Sequence, residues 1–523
     1  MRKASEKQKE EFTLKIRKVT AVLLSAAALT AAMPVAPFTG DMMQNTTITA
    51  EAATTTSITS GSLCYDIISN GGDKYAVVTR PTSSYVSSVS IPGSVSGGGH
   101  YNVPVRKIGY GAFAGCSNLS SVNLTGTYYL VEIGGLAFAS CGNLRNFTIP
   151  NWVTTIGANA FEGVTMPSTV NIGANLTNID PSAFVNTRGV TQFSVASGNP
   201  NYKSVSGVLY TKNGNTLLRY PDKKSSTSFT TSAVYIANDA ISYNTNLKTL
   251  SFSNLLRSGA EKIVFSGLTS LENITIPQAD FNQSVGTIMD RYSPMLTNGK
   301  INKINGQTIV TVASNGMPSF GSKFNSYVRN NFELYQGYYF MDYYVDKMAT
   351  YVVNTVTNSS MTQWTKAEKL HDWILNNTTY DPRVAEALRL RKQHILIPEA
   401  DYATDKNHVN ASVFLHQRNG VKYTVCDGYS RCYKILLNKA GIECDYVYGT
   451  DLTETNSKYR CDHAWNRVKI NGTYYFTDVT WDDSNYDSGN TSNKYKYFMK
   501  SEYWFRSNAG GHGTYDWQYW TVI

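Results

Sequence analysis

The stretch Ile108-Gly109-Tyr110-Gly111-Ala112-Phe113 contains a pattern, Ile-x-x-x-Ala-Phe, that recurs three times along the chain. The later copies begin at Ile133, Ile156 and Ile179, so successive copies are 25, 23 and 23 residues apart. A period of about 20–29 residues is typical of a solenoid, in which each repeat forms one coil. The small alanine lets each coil tighten, and the phenylalanine ring is placed to fill the core. The pattern therefore predicts a repeat architecture over about residues 85–277.

Each repeat also contains a short segment in which apolar and polar residues alternate. Such alternation predicts β-strands, stacked in parallel with one strand per coil. The predicted strands are 122–124, 147–149, 170–172, 193–195, 250–252 and 274–276. An inserted segment turned by Asn213-Gly214 predicts a hairpin. Cys116 and Cys141 occupy equivalent repeat positions, three residues after a phenylalanine, which predicts small, buried and unpaired side chains.

These repeats resemble the BspA-type leucine-rich repeats of bacterial surface proteins, and the resemblance covers roughly residues 85–277. It implies a β-solenoid with short parallel strands. Because a solenoid offers an extended face, we expect the repeats to bind a macromolecule, such as a cell-surface, host or polysaccharide ligand. The alternative is a spacer that only positions the domain that follows.

Length and composition exclude several classes of protein. A chain of 523 residues is long enough for several domains. With 42% hydrophobic and 16% charged residues, it is neither disordered nor a polytopic membrane protein. The net charge is +9, but residues 1–18 carry seven Lys/Arg against three Glu, which leaves +5 for the other 505 residues. This mild charge gives little support for nucleic-acid binding.

The N-terminus has the pattern of a secretory signal peptide. A basic segment, Lys15-Ile16-Arg17-Lys18, precedes an apolar run from Val19 to Ala32 and then small residues. The run is shorter than the roughly 20 residues that span a bilayer. Cleavage is expected near Ala32 or, preferably, near Ala52. We therefore expect a secreted or cell-surface bacterial protein with no integral membrane span after signal removal.

The domain boundary is predicted in a stretch rich in Asn-Gly pairs, at about residues 278–335. Helical patterning begins at Asp342. The predicted organisation is a signal peptide and N-terminal segment at 1–52, a repeat domain with a capping or linker region at 53–335, and a second domain at 340–523.

The second domain contains the most informative thiol of the chain. Seven cysteines leave at least one unpaired. The run that begins at Cys426 has helical spacing, with Tyr429, Cys432, Tyr433, Leu436 and Ala440 on one face and Gly441 closing the helix. Cys426 thus falls in the first turn or just before it, where free amides and the helix dipole favour a thiolate. Cys432 has the position of a core residue.

A base and its orienting group follow from strand geometry. Asn471-Gly472 is a strong two-residue hairpin signal, which pairs residue i with residue 943 − i. Trp465 then lies opposite Asp478, and His463 becomes the diagonal neighbour of Asp478 on the same face. Val468, Ile470 and Val479 are on the opposite face and are suited to packing. Cys426, His463 and Asp478 are the components of nucleophilic acyl transfer.

Residues 343–515 resemble the bacterial form of the transglutaminase-like superfamily. Three blocks carry the resemblance: KAEKLHDWILNNTTYD, VCDGYSRCYKILLNKAGIECDYVYG and DHAWNRVKINGTYYFTDVTWDD. It implies an α+β, papain-related domain with Cys426 as nucleophile, His463 as base and Asp478 as third member. It also implies that the backbone amide of Cys426 joins the oxyanion hole and that Trp481 and Asp482 are structural.

The resemblance leaves the reaction open among transamidases, cysteine peptidases, deamidases, peptide N-glycanases and inactive members. The absence of paired CxxC zinc ligands argues against a peptide N-glycanase. No acidic cluster matches the calcium sites of the animal crosslinking enzymes. We expect a protein or peptide substrate, no cofactor and no metal. Hydrolysis is favoured over transamidation because the sequence reveals neither an amine site nor a water-excluding tunnel. The alternative function is a non-catalytic surface adhesin with an inactive transglutaminase-like scaffold.

The remaining histidines and cysteines of the second domain have weaker signals. His371, His408, His416 and His512 are expected on the surface or in the core. For Cys444 and Cys461, a disulfide between neighbouring strands and a metal site shared with His463 are both open alternatives, but the sequence favours neither, because neither spacing is a standard zinc pattern.

Overall fold

The structure is a computed structural model that describes residues 54–70, 72–145, 147–254, 256, 265–393, 410–455, 462–483 and 494–520. The predicted signal peptide, His408 and Cys461 lie outside the described residues. In the described part of the chain, no helix combines the length and the apolar character needed to cross a membrane.

The repeat region opens with an antiparallel meander of three strands, β1 (Thr54–Ser60), β2 (Leu63–Asn70) and β3 (Asp73–Pro81). Short strands follow, one or two to each coil. These are β4 (Ser88–Ser90), β5 (Ser94–Gly97), β6 (His100–Ile108), β7 (Ser121–Asn123), β8 (Glu132–Ile133), β9 (Thr155–Ile156), β10 (Thr169–Ile172), β11 (Asn178–Ile179) and β12 (Gln192–Val195). The meander continues into one wall of the solenoid, in the order β1-β2-β3-β6-β8-β9-β11.

The predicted solenoid is confirmed, and its core is a ladder of aromatic rings. The isoleucines of the pattern end strands β6, β8, β9 and β11, which pair in parallel. Phe113, Phe138, Phe161 and Phe184 stack in sequence with ring centroids 5.2, 5.7 and 5.6 Å apart. Stacking of one ring per coil explains why the repeat keeps an aromatic residue at this position.

In the first three copies of the pattern a glycine follows the isoleucine, and the close approach of the neighbouring coil requires it. A Cβ at Gly157 would lie 2.4 Å from the backbone nitrogen of Gly135. Cys116 and Cys141 are buried and unpaired as predicted, and the Cys141 thiol donates to the carbonyl of Phe113 at 3.0 Å.

The second wall of the solenoid contains most of the predicted alternating strands. Strand β4 pairs with β7 and β10 pairs with β12, both in parallel. The predicted strand at 147–149 is wrong, because these residues are not in a strand. Phe147 and Ile149 are buried nonetheless, as the alternation predicts.

The later coils contain the inserted hairpin. The strands here are β13 (Tyr202–Val205), β14 (Val208–Thr211), β15 (Thr216–Arg219), β16 (Ser228–Thr231), β17 (Tyr235–Ile236), β18 (Thr249–Phe252) and β19 (Asn273–Thr275). Strands β14 and β15 pair antiparallel around Gly214, whose φ is 81°, as predicted. Strands β16, β18 and β19 resume the parallel stack.

The stretch 278–335 is not loop-rich as predicted. It contains α1 (Gln278–Phe281), α2 (Val285–Asn298), β20 (Lys303–Ile304), β21 (Gln307–Thr308), β22 (Val310–Val312), β23 (Pro318–Phe320), α3 (Asn325–Asn330) and a 3-10 helix (Phe332–Tyr335). Ser284 caps α2 by accepting from the N–H of Thr287. The buried residues of α2 have helical spacing: Ile288, Met289, Tyr292, Met295 and Leu296. The Asn-Gly pairs mark the end of α2 and two hairpin turns.

The second domain places helices against a four-stranded antiparallel sheet. Its elements are α4 (Tyr339–Val356), α5 (Gln363–Asn377), β24 (Thr379–Tyr380), α6 (Pro382–Lys392), α7 (Ser412–Leu415), β25 (Gln417–Arg418), β26 (Val421–Thr424), α8 (Cys426–Lys439), β27 (Cys444–Asp451), β28 (Asp462–Ile470), β29 (Thr473–Thr477), α9 (Glu502–Arg506) and β30 (Tyr515–Trp520). The sheet order is β29-β28-β27-β30. Helix α8 packs on this sheet and on α4 and α5.

The apolar core does not stop at the predicted domain boundary. One cluster of buried residues runs from the last coils through 278–335 and into the second domain. At the junction, the rings of Phe320 on β23 and Tyr344 on α4 stack at 4.6 Å. The boundary near residue 335 thus crosses continuous packing.

Candidate functional site

Cys426 is the first residue of α8, within the range that the helical pattern predicted. The N-cap residue is Val425, whose side chain cannot accept a hydrogen bond from the first turn. The N-cap side chain therefore accepts no hydrogen bond from the backbone N–H groups of the first turn. The thiol lies at this end of the helix, where the helix dipole is positive. Cys426 is half-buried, whereas Cys432 on the same helix is fully buried, as predicted.

The β28–β29 hairpin has the predicted register. Asn466 pairs with Thr477 and Ile470 pairs with Thr473, so each pair sums to 943. This register brings His463 to Asp478, with 2.6 Å between His463 Nε2 and Asp478 Oδ2. Val468, Ile470 and Val479 are buried, as predicted.

His463 joins the thiol to the carboxylate. Besides its bond to Asp478, it interacts with the Cys426 side chain, which helps to raise the pKa of the imidazole. Since Nε2 faces Asp478, Nδ1 is the ring nitrogen available to the thiol. Burial lowers the pKa of His463, but Asp478 and then Cys426 raise it more, to about 10. The imidazolium is therefore the favoured form at neutral pH.

Asp478 is a fully buried carboxylate with every acceptor direction occupied. Its Oδ1 accepts the backbone N–H groups of Thr480 at 3.0 Å and Trp481 at 3.1 Å. Burial raises the pKa of Asp478, but His463 and the hydrogen bonds outweigh this effect and hold that pKa well below its usual range. The Trp481 ring stacks on His463 with centroids 4.8 Å apart. Trp481 therefore covers the imidazole.

His512 is the residue of this site that the sequence did not reveal. It was expected on the surface or in the core, and it is fully buried. Its Nε2 lies 3.0 Å from Asp478 Oδ2, the same oxygen that faces His463. The available signal in the sequence is weak: His512 stands between Gly511 and Gly513, in a segment without apolar periodicity.

The other histidines and cysteines lie elsewhere. His371 and His416 are buried, within the expectation. His371 Nε2 is 3.1 Å from Asp482 Oδ2, so this pair ties α5 to the loop that follows Asp478. Cys444 is buried, and its sulfur accepts from Asn466 at 3.5 Å. Cys461, its candidate disulfide partner, lies outside the described residues.

Among the described residues, His463, Asp478 and His512 are the one group whose side chains could together hold a metal ion. Their potential ligand atoms lie within 4.8 Å of one another. Two ligands bound to zinc at about 2.0–2.2 Å are usually more than about 3 Å apart. His463 Nε2 and Asp478 Oδ2 are only 2.6 Å apart. The spacing is that of hydrogen bonds rather than of a coordination sphere.

Fold and site together define a multidomain protein, in which a leucine-rich repeat β-solenoid precedes an α+β domain. Residues 100–205 and 214–304 match, in six copies, the family described as BspA type Leucine rich repeat region. Residues 349–479 match the Transglutaminase-like superfamily. The chain therefore carries a BspA-type repeat region followed by a transglutaminase-like domain, and the second match includes Cys426, His463 and Asp478.

Individual proteins resemble parts of the chain. Kyphoscoliosis peptidase of Mus musculus is 31% identical over 87 residues, which are 16% of this chain and 13% of the mouse protein. A leucine rich cell surface protein from Faecalibacterium prausnitzii is 21% identical, with a TM-score of 0.24, and the match covers 42% of this chain and 83% of that one. A crystal structure of a TGase is 16% identical, with a TM-score of 0.23, covering 39% and 50%.

Proposed function

We propose that the second domain is a thiol acyl-transfer enzyme acting on peptide or glutamine amides. Cys426 is the nucleophile, His463 the base and then the acid, and Asp478 the group that fixes the imidazole. The observation that carries the proposal is the arrangement of His463, which lies 2.6 Å from Asp478 and interacts with Cys426 at the start of α8. A thiol can be the nucleophile, an imidazole can exchange a proton with it, and a carboxylate can orient the imidazole.

The reaction follows from this arrangement. The thiolate attacks the amide carbonyl, and the backbone N–H of Cys426 at the start of α8 donates to the developing oxyanion. His463 then gives its proton to the leaving amine, which leaves a thioester on Cys426. Water or a second amine attacks the thioester, with His463 taking the proton from it. We favour water, so that the overall reaction is hydrolysis.

The repeats supply binding rather than chemistry in this proposal. The extended solenoid binds a protein or polysaccharide of a cell or host surface and brings the enzyme to it. The basic and apolar N-terminal residues direct export, which places the protein outside the bacterial cell.

The first experiment measures the reactivity of Cys426 with iodoacetamide at about pH 6, where an ordinary thiol is almost entirely protonated. Cys64 on β2 is half-buried and far in sequence from the site, so its peptide provides an internal reference thiol. We expect Cys426 to react at least about tenfold faster than Cys64, and His463→Ala to abolish the difference. Equal rates in the native protein would contradict the proposal and favour the non-catalytic adhesin.

The second experiment identifies the reaction. The protein is incubated with a protein mixture, with and without a tagged primary amine. New termini or released ammonia without incorporation of the tag support hydrolysis. Incorporation of the tag that depends on Cys426 would instead show that the reaction is transamidation.

A further inference from the structure

Two imidazoles share one oxygen of the buried carboxylate. His463 Nε2 lies 2.6 Å and His512 Nε2 lies 3.0 Å from Asp478 Oδ2. The other oxygen, Oδ1, accepts two backbone N–H groups. Asp478 therefore accepts four hydrogen bonds, and the one from His512 comes from a residue 34 positions away in sequence. A carboxylate held on all sides keeps a single orientation.

His512 is placed to donate a hydrogen bond to this carboxylate. His512 Nδ1 lies 2.6 Å from the carbonyl oxygen of Gly510. A carbonyl and a carboxylate both only accept, so the imidazolium donates to both at once. A neutral ring has one proton to give, and the charged carboxylate is the stronger acceptor. In either form, donation from Nε2 to Asp478 is favoured.

Close packing of the backbone fixes the position of the His512 ring. A Cβ at Gly510 would lie 2.2 Å from the carbonyl oxygen of Trp504, so only glycine fits there. The N–H of His512 donates to the carbonyl of Phe505 at 2.9 Å. The Trp517 indole donates to the carbonyl of His512 at 2.8 Å. The ring is thus clamped between α9 and β30, the edge strand of the sheet that carries His463.

We propose that His512 is a positioning residue of this site. Its Nε2–H holds Oδ2 of Asp478 in the orientation in which that oxygen accepts the hydrogen bond from His463. His512 therefore acts on the Cys426–His463 pair through Asp478 and not on the substrate. The inference rests on the proposed function, because the orientation of Asp478 matters to chemistry only if Cys426 is the nucleophile.

The test compares His512→Gln with His512→Met. Both side chains are unbranched and similar in length, but only glutamine carries an N–H donor at its end. We expect the Met variant to lose about tenfold in the rate of Cys426 alkylation at about pH 6, as for loss of a hydrogen bond to a charged group. The Gln variant should stay within about threefold of the native rate. Circular dichroism and melting temperature establish that both variants are folded.

Equal rates in the native protein and in a folded Met variant would overturn the inference, as would equal losses in the two variants. If the Met variant does not fold, proton NMR of protein labelled with nitrogen-15 at histidine provides the test. The His512 Nε2–H resonance should move when Asp478 is replaced by Asn, and an unchanged resonance would overturn the inference. Failure of the proposed function is separate, since it shows as slow alkylation of Cys426 in the native protein.

Discussion

At the scale of single residues, the site depends on charges that are buried together. His463 is only 4% exposed, and a buried imidazolium is costly unless its charge is compensated. Asp478 compensates it from one side and Cys426 from the other, which is why the pKa of His463 is raised despite burial. The charge of the imidazolium therefore depends most on the Asp478 carboxylate.

Replacement of Asp478 by Asn tests this dependence, because it keeps the shape and removes the charge. The pKa of His463 should fall, because Asp478 is the largest of the interactions that raise it, and the imidazolium that would stabilise a thiolate is then less populated. We expect alkylation of Cys426 at about pH 6 to slow about tenfold or more. Asp445→Asn is the control, since that buried carboxylate pairs with Arg467 outside the site. A control as slow as Asp478→Asn would contradict a specific effect.

The raised pKa of His463 also makes stability depend on pH. Unfolded histidine has a pKa near 6.5, and the folded value is about 10. A group whose pKa rises on folding contributes stability that is complete below about pH 6.5 and is lost as the pH rises towards 10. The free energy of unfolding should therefore fall more steeply over this interval in the native protein than in His463→Gln. Urea denaturation at three pH values measures both slopes, and parallel curves would contradict the expectation.

At the scale of elements, the repeats show how very short strands become stable. Strands β8, β9 and β11 contain two residues each, far too few to be stable alone. Their stability comes from stacking, because each coil buries its aromatic ring against the next. The distance between coils is then set by the residue that lies where two backbones meet.

Gly157 lies at such a point, so Gly157→Ala should destabilise the solenoid. The new Cβ would meet backbone atoms at 2.4 and 2.9 Å, and backbone of a neighbouring coil cannot move as a side chain can. We expect a loss of about 1–3 kcal/mol in the free energy of unfolding, as for other overpacked cores. Gly142→Ala is the matched control, because the nearest atom to its Cβ would be a side-chain nitrogen 3.9 Å away. Chemical denaturation should separate the two variants, and equal midpoints would refute this explanation of the regular spacing of the coils.

How much the sequence predicts depends on how local each signal is. The register of β28 and β29 follows from Asn471-Gly472, so the contact between His463 and Asp478 could be predicted. Helix α2 is not predicted, because the Asn-Gly pairs in and around it are typical of loops, whereas Asn298-Gly299 in fact ends the helix. His512 could not be predicted, because its contact with Asp478 depends on the position of β30 beside β27, which no short motif specifies.

At the scale of the whole molecule, the repeats and the second domain share packing. The cluster of buried residues that includes the last coils also includes α4, α5 and α8. Helix α8 carries Cys426 at its start, so the position of the thiol depends on a core that begins in the repeats. We therefore expect residues 208–377 to unfold together rather than as two independent domains.

Phe320→Ala tests this coupling, because Phe320 is 5% exposed and its ring stacks on Tyr344 of α4. Loss of a buried phenylalanine costs about 3–5 kcal/mol. Hydrogen exchange followed by mass spectrometry in rising denaturant reports separately on peptides from β14–β18 and from α4–α5. Both sets should lose protection at the same denaturant concentration in the native protein and shift together in the variant.

Val312→Ala, in the same hairpin but 40% exposed, should move neither set. A shift confined to one set would show that the two regions unfold independently, and the thiol would then be positioned by the second domain alone.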